Sequence, residues 1–173
     1  MTRRLILFRH GKSDWDADFG SDHERPLALR GERDAQNMGR LLVESGRKIP
    51  TLVICSSARR ARSTLDIAMR ASGWHPEVVI SDELYAASSS GVMALIRKLP
   101  EKHERVMLVG HEPTWSELIR RFTGGRVRMP TAGMARIDFA LSSWHDVTDD
   151  SGELVWLLQP AFFRRLGTTT SRR

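Results

Sequence analysis

In this chain of 173 residues, two histidines and a group of arginines stand directly after apolar runs. Leu5-Ile6-Leu7-Phe8 leads into Arg9-His10-Gly11. Leu52-Val53-Ile54-Cys55 leads into Ser56-Ser57 and then Arg59-Arg60, and Val106 to Val109 leads into Gly110-His111. If these runs are parallel strands, the residues just beyond them meet at one sheet edge, where open α/β sheets take their ligands. A guanidinium group is a permanently charged planar fork that matches phosphate oxygens, and a helix N-terminus adds backbone donors and a favourable dipole. The pattern predicts a phosphate cradle with an imidazole inside it. A neutral imidazole there can attack phosphorus and be released later by water, turning one hard displacement into two easier ones. Guanidinium charges nearby are expected to depress the pKa of both imidazoles in the empty cleft, which keeps His10 neutral and nucleophilic. His111 is expected to stabilise the charge that develops on the transferring group. This chemistry calls for no metal and no cofactor.

The elements that must position these residues follow from apolar periodicity. Leu5 to Phe8, Leu52 to Cys55 and Val106 to Val109 are continuous apolar runs, as buried parallel strands require, and Val78 to Ile80 reads as a short strand between them. Helices are expected from Gly31 to Ser45, with Gly46 as the C-cap, and after Ser56-Ser57 with Ala61, Leu65, Ala68 and Met69 on one face. Two more follow: Ser88 to Leu99, with a serine N-cap, and Pro113 to Phe122, closed by Gly124-Gly125. Met134 to Leu141 and Glu153 to Leu158 flank a turn-rich stretch and read as an antiparallel hairpin. The expected fold is a three-layer α/β/α sandwich, mainly parallel, with this C-terminal hairpin added. One domain over residues 1–166 fits the length, and residues 167–173 read as a disordered basic tail.

Composition narrows the function classes. The formal net charge is +6, but the basic residues are dispersed and partly terminal (Arg3-Arg4, Arg164-Arg165, Arg172-Arg173), so nucleic-acid binding is not expected as the main role. No apolar stretch approaches the ~20 residues of a membrane span or the core of a signal peptide, so the reading is a cytoplasmic protein without a membrane role. The single cysteine, Cys55, sits in an apolar strand with no implied base and supports neither a disulfide framework nor a metal site.

The motifs also resemble a known family. Leu7-Phe8-Arg9-His10-Gly11-Lys12-Ser13 is similar to the RHG signature of the histidine phosphatase superfamily, which contains cofactor-dependent phosphoglycerate mutases and acid phosphatases. Cys55 to Thr64 resembles its second motif, in a register that makes Arg60 the phosphate ligand and Arg59 a neighbour. Leu108 to Pro113 resembles the block with the second catalytic histidine. Within the superfamily, the short chain and Arg25-Pro26-Leu27 followed by Gly31 resemble the SixA-type phosphohistidine phosphatases, which implies Arg25 as a further phosphate ligand. The resemblance departs at Ser57, where proline is common, at Ala58, where leucine is common, and at Lys12, where some SixA-type proteins carry an acid.

Taken together, the expected catalytic residues are His10, His111, Arg9 and Arg60, and the resemblance implies Glu83 in Asp82-Glu83-Leu84 as a candidate general acid, since relatives acting on phosphate esters place a glutamate after the third strand. Arg25, Gly11, Lys12, Ser13 and Gly110 are the expected substrate-binding residues. Only Ser13 to Glu24 and Ala86 to Arg105 are available to build a lid, so the cleft should be shallow and open, suiting a phosphorylated protein such as a histidine-phosphorylated carrier domain. A small phosphate ester is the alternative substrate, and a phosphoprotein-binding module without turnover is the alternative class. Trp15 and Trp115, four or five residues past the two histidines, are candidates to rim the pocket. His23, His75, His103 and His145 are assigned no role.

Overall fold

Alternation within each apolar run decides the layers. In the computed structural model, which describes residues 2–44 and 49–167, strand β1 (Arg3–Arg9) sends Leu5 and Leu7 into one hydrophobic cluster and Ile6 and Phe8 into another. Strands β2 (Leu52–Ser56) and β4 (Arg105–Gly110) divide the same way, Leu52, Ile54, Val106 and Leu108 against Val53, Cys55, Met107 and Val109. A strand apolar on both faces is covered on both faces, because successive side chains point to opposite sides.

One six-stranded sheet results, in the order β3-β2-β4-β1-β5-β6, with β3 at Glu77–Ser81, β5 at Met134–Phe139 and β6 at Gly152–Leu158. β1, β4, β2 and β3 run parallel, while β5 pairs antiparallel with both β1 and β6. Helices α1 (Leu29–Glu44) and α2 (Arg59–Ser72) cover one face through Met38, Leu42, Ala61 and Leu65. Helices α3 (Ser89–Ile96) and α4 (Thr114–Thr123) cover the other through Val92, Ile96, Leu118 and Phe122. Two of the expected caps form: Ser88 Oγ accepts from Gly91 N at 3.1 Å, and Gly124 closes α4 in the left-handed conformation at φ 70°.

Three expectations are adjusted. β3 is an outer strand, with Val78, Val79 and Ile80 38%, 44% and 49% exposed, because among the described residues no strand pairs with its far side. A fifth helix, α5 (Pro160–Gly167), was not anticipated; Pro160 suits the start of a helix, and Phe163 packs against the α1 and α2 face. Gly167, expected in the tail, is the last residue of α5, and the rest of that tail and the Gly46 cap lie outside the described residues.

Several of the dispersed arginines are used internally. Arg3 is buried, donating to the carbonyls of Ser142 and Glu101 and to the Glu101 carboxylate, and Arg4 and Arg136 both pair with Asp138. Among the described residues no helix is long and apolar enough to cross a membrane.

Candidate active site

The parallel strands deliver their following residues to one edge. His10 follows β1 directly and is pinned by its backbone, its N–H donating to the Gly110 carbonyl and its carbonyl accepting from Ala132, each at 3.0 Å. The imidazole Nδ1 lies 2.7 Å from the Gly11 carbonyl oxygen. A carbonyl can only accept, so Nδ1 carries the hydrogen and Nε2 is left as an unprotonated lone pair. The Gly11 N–H donates to Thr64 Oγ1 at 3.0 Å, and that hydroxyl donates to the Arg60 carbonyl at 2.7 Å, tying the histidine loop to the first turn of α2. The loop lies directly on the start of α1. A Cβ on Gly31 would stand 2.3 Å from the Lys12 carbonyl oxygen and one on Gly11 2.7 Å from that of Gly31, so both positions need glycine.

His111 comes from the end of β4, and its ring centroid is 5.1 Å from that of His10 at an interplanar angle of 54°. Its Nε2 is 2.8 Å from Ser56 Oγ, at the end of β2. Arg9 donates to the Met129 carbonyl at 2.6 Å. Together Arg9, His10, Lys12, Ser13, Arg25, Arg60 and His111 line a cleft of about 240 Å³, joined by Trp15, Glu112 and Thr131. Four polar atoms of these residues, Arg9 Nε, Arg60 Nε, Ser13 Oγ and His111 Nδ1, are buried without a hydrogen-bond partner. Buried polar groups are rarely left unpaired, and four of them on residues around one polar cleft make it a candidate place for a polar ligand.

Both imidazoles are held neutral. The His10 pKa falls to about 3, first because the ring is buried, with His111, Arg60 and Arg9 adding to the effect against the opposing Gly11 hydrogen bond. His111 falls to about 4, again first by burial and then by Arg60. The expected direction holds, but desolvation leads in both, and the arginine charges follow it, for His10 after the charge of His111 as well. Burial also raises the Glu112 pKa and lowers that of Arg9, and it pushes the Cys55 thiol up to about 12.

Other expected residues are placed differently. Glu83 is exposed on the short helical turn Asp82–Leu84, its N–H bonded to Ser81 Oγ at 3.2 Å, and it does not line the cleft. Tyr85, two residues on, stands beside His111 instead, its ring centroid 5.9 Å away. Gly11 and Gly110 do not line the cleft; the Gly11 N–H is bonded to Thr64, and a Cβ on Gly110 would come within 2.6 Å of the Trp115 ring. Trp115 is therefore not at the rim; it is 1% exposed, its Nε1–H bonded to the Phe8 carbonyl. Trp15 is 63% exposed at the cleft lip, with the Arg25 guanidinium 3.6 Å from its ring centroid.

Sequence reasoning missed Asp22, Tyr85, the Met129 carbonyl and His23. Asp22 accepts from Arg25 Nε and Nη2 at 3.1 and 2.8 Å, from Arg60 Nη2 at 3.1 Å and from Tyr85 OH at 3.2 Å. His23 bonds Ser57 Oγ at 3.0 Å and meets Tyr85 edge-on at 4.9 Å. The available signals were thin: an acid three residues before Arg25, and the chain's only tyrosine. Among the described residues, no group of three or more His, Cys, Asp or Glu side chains is arranged to hold a metal.

Comparison with known proteins adds to this geometry. Residues 5–85 match the model of the histidine phosphatase superfamily, branch 1. An uncharacterised protein of Mycobacterium leprae is 32% identical over 162 residues, spanning 85% of this chain and 96% of that protein. A structure from Agrobacterium tumefaciens with the provisional name phosphohistidine phosphatase SixA is 28% identical, covers 91% of this chain and 98% of that one, and superposes with a TM-score of 0.77. A protein histidine phosphatase SixA complexed with tungstate shares the fold at a TM-score of 0.79 and 22% identity, over 92% of this chain and 99% of that one. With this likeness and the facing imidazoles of the cleft, the chain belongs to the histidine phosphatase superfamily.

Proposed function

We propose that this chain is a metal-independent phosphatase that passes a phosphoryl group through His10 and acts on phosphohistidine in a protein partner. The observation that carries the reading is the state of His10: its Nδ1–H is committed to the Gly11 carbonyl, leaving Nε2 as the lone pair, beside buried donors that lack partners. In the first step Nε2 bonds to phosphorus as the bond from phosphorus to the leaving atom breaks, that atom keeping the electron pair and taking a proton from solvent. Arg9, Arg25 and Arg60 hold the non-bridging oxygens, and Lys12 and Ser13 are placed to assist at the same cleft. Ser56 Oγ lies 2.8 Å from His111 Nε2 and holds that ring beside His10, where the imidazole stabilises the charge that develops on the equatorial oxygens. Water attacks phosphorus in the second step, the N–P bond breaks, and Nε2 and phosphate are released.

A protein-borne phosphoramidate is supported by three features. The Trp15 side of the cleft is open to solvent, as an approaching protein surface requires. Glu83 is away from the cleft, and a labile P–N bond depends less than an ester on a protein acid. Solved relatives carry the SixA name. A single domain in the cytoplasm fits the one buried cysteine.

The test is turnover of a chromogenic phosphate ester in EDTA, a trapped label on the enzyme, and comparison of a phosphohistidine carrier protein with a panel of small esters. Turnover should persist in EDTA and disappear in His10→Ala, and the label should be acid-labile and alkali-stable. An acid-stable label, or one that survives His10→Ala, overturns the nucleophile. Preference for the small esters overturns the partner. Tight phosphoprotein binding without turnover would make the chain a binding module.

A further inference from the structure

Among the described residues, Asp22 is the carboxylate that pairs with both Arg25 and Arg60, two of the three arginines assigned to the phosphate, yet it does not itself line the cleft. Its Oδ1 takes Nε and Nη2 of Arg25, its Oδ2 takes Nη2 of Arg60 and the hydroxyl of Tyr85, and its backbone carbonyl takes Nη1 of Arg60 at 2.6 Å. These partners come from three separate segments: the loop before α1, the first turn of α2, and the residue after the Asp82–Leu84 turn. The arginines are 7% and 6% exposed, whereas the Asp22 side chain is 49% exposed on the outer side. Both arginines line the cleft and Asp22 does not, so the carboxylate touches the cleft through its two guanidinium partners.

We propose that Asp22 is a positioning residue, which sets the spacing and orientation of Arg25 and Arg60 so that their remaining N–H groups converge on the phosphoryl oxygens. The inference rests on the phosphatase reading and deepens it by naming what preorganises the cradle. Two long cationic side chains beside each other repel and have many rotamers, and a carboxylate clamped to both removes that freedom before substrate arrives. Each Nη carries two hydrogens, so the bonds to Asp22 leave donors on both forks for the ligand. Tyr85 carries the arrangement further, because its hydroxyl is held by Asp22 while its ring packs edge-on to His111. Asp22 thus couples the phosphate ligands to the second imidazole.

The competing account is that Asp22 merely offsets positive charge, in which case removing it should tighten the grip on an anion. Calorimetric binding of inorganic phosphate and steady-state hydrolysis of an aryl phosphate distinguish the two. In Asp22→Asn, phosphate binding should weaken by about tenfold or more, as expected for losing hydrogen bonds to charged groups, and kcat/KM should fall with it. In an Arg25→Ala background the same substitution should cost only about threefold, because residues acting through one another are not additive. Asp22→Glu keeps the charge but moves the carboxylate and should fall between. Asp18→Asn, an exposed acid of the same loop, should match the wild type. Unchanged or tighter phosphate binding in Asp22→Asn overturns the inference, as does an equal loss with and without Arg25. If Asp22→Asn fails to fold, Tyr85→Phe, which removes one bond to the carboxylate, should still weaken phosphate binding by about threefold, and no change there overturns it. A wild-type chain that neither binds phosphate nor hydrolyses the ester overturns the phosphatase reading itself and this inference with it. An active wild type with an indifferent Asp22→Asn overturns the inference alone.

Discussion

Acidification gives the most quantitative test of the cleft. An imidazole with the ordinary pKa of 6.5 would be only about 3% neutral at pH 5, so a nucleophile of that kind loses roughly 30-fold in rate between pH 8 and pH 5. With the His10 pKa near 3, about 99% of the ring stays neutral at pH 5. For His111, near 4, roughly 90% stays neutral. Because kcat/KM reports the free enzyme, its profile should be nearly flat from pH 7 to pH 5 once the ionisation of the substrate is divided out. The assay is hydrolysis of an aryl phosphate whose own second pKa is measured in the same buffers. A residual acid limb with a midpoint near 6.5 sinks the argument that burial holds these rings neutral.

The same shifts bear on stability. Both folded-state pKa values are depressed, so the unfolded chain binds protons first as the pH falls. This contribution is complete above pH 6.5 and is lost through the window from 6.5 down to about 3 for His10 and about 4 for His111, the loss reaching roughly 2 kcal/mol per histidine by pH 5. Urea unfolding at pH 7 and pH 5 should show a smaller difference in His10→Gln than in the wild type, and an equal difference contradicts the mechanism.

Other substitutions probe the supports of the site. Ser56→Ala removes the hydroxyl that orients His111; kcat should drop by about tenfold with little change in KM, and steady-state kinetics that show a KM effect alone would count against that role. Gly110→Ala forces a Cβ against the Trp115 ring, so it should destabilise the fold by about 1–3 kcal/mol and lower activity, as read from chemical denaturation beside turnover. Thr64→Val keeps the shape but leaves the Gly11 N–H without its acceptor, costing about 1–3 kcal/mol of stability. A Thr64→Val melting curve identical to that of the wild type would refute that account.

The expected strands and helices are present because their signals are local: continuous apolar runs for strands covered on both faces, helical spacing for α1, α2 and α4, and serine and glycine at the caps. Glu83 illustrates the opposite case. Its place in the chain suggested a general acid, but a side chain on a three-residue turn can face either way, and here the neighbouring Tyr85 takes the position beside His111. Trp115 likewise follows a catalytic-type histidine in sequence, yet α4 turns its ring under Gly110 and into the core.

The chain by itself determined the layers, and its motifs determined which histidines and arginines stand at the strand ends, because periodicity and capping act over a few residues and the β-strand carries its face preference in every second side chain. Only the tertiary structure decided the chemistry's finer settings: that His10 presents Nε2, that burial leads the depression of its pKa, and that Asp22 joins Arg25, Arg60 and Tyr85. The Asp22 bonds to Arg60 and Tyr85 join segments dozens of residues apart, and even the short His10–Gly11 hydrogen bond is set by how its loop folds; desolvation and hydrogen-bond partnership are not written in residue order.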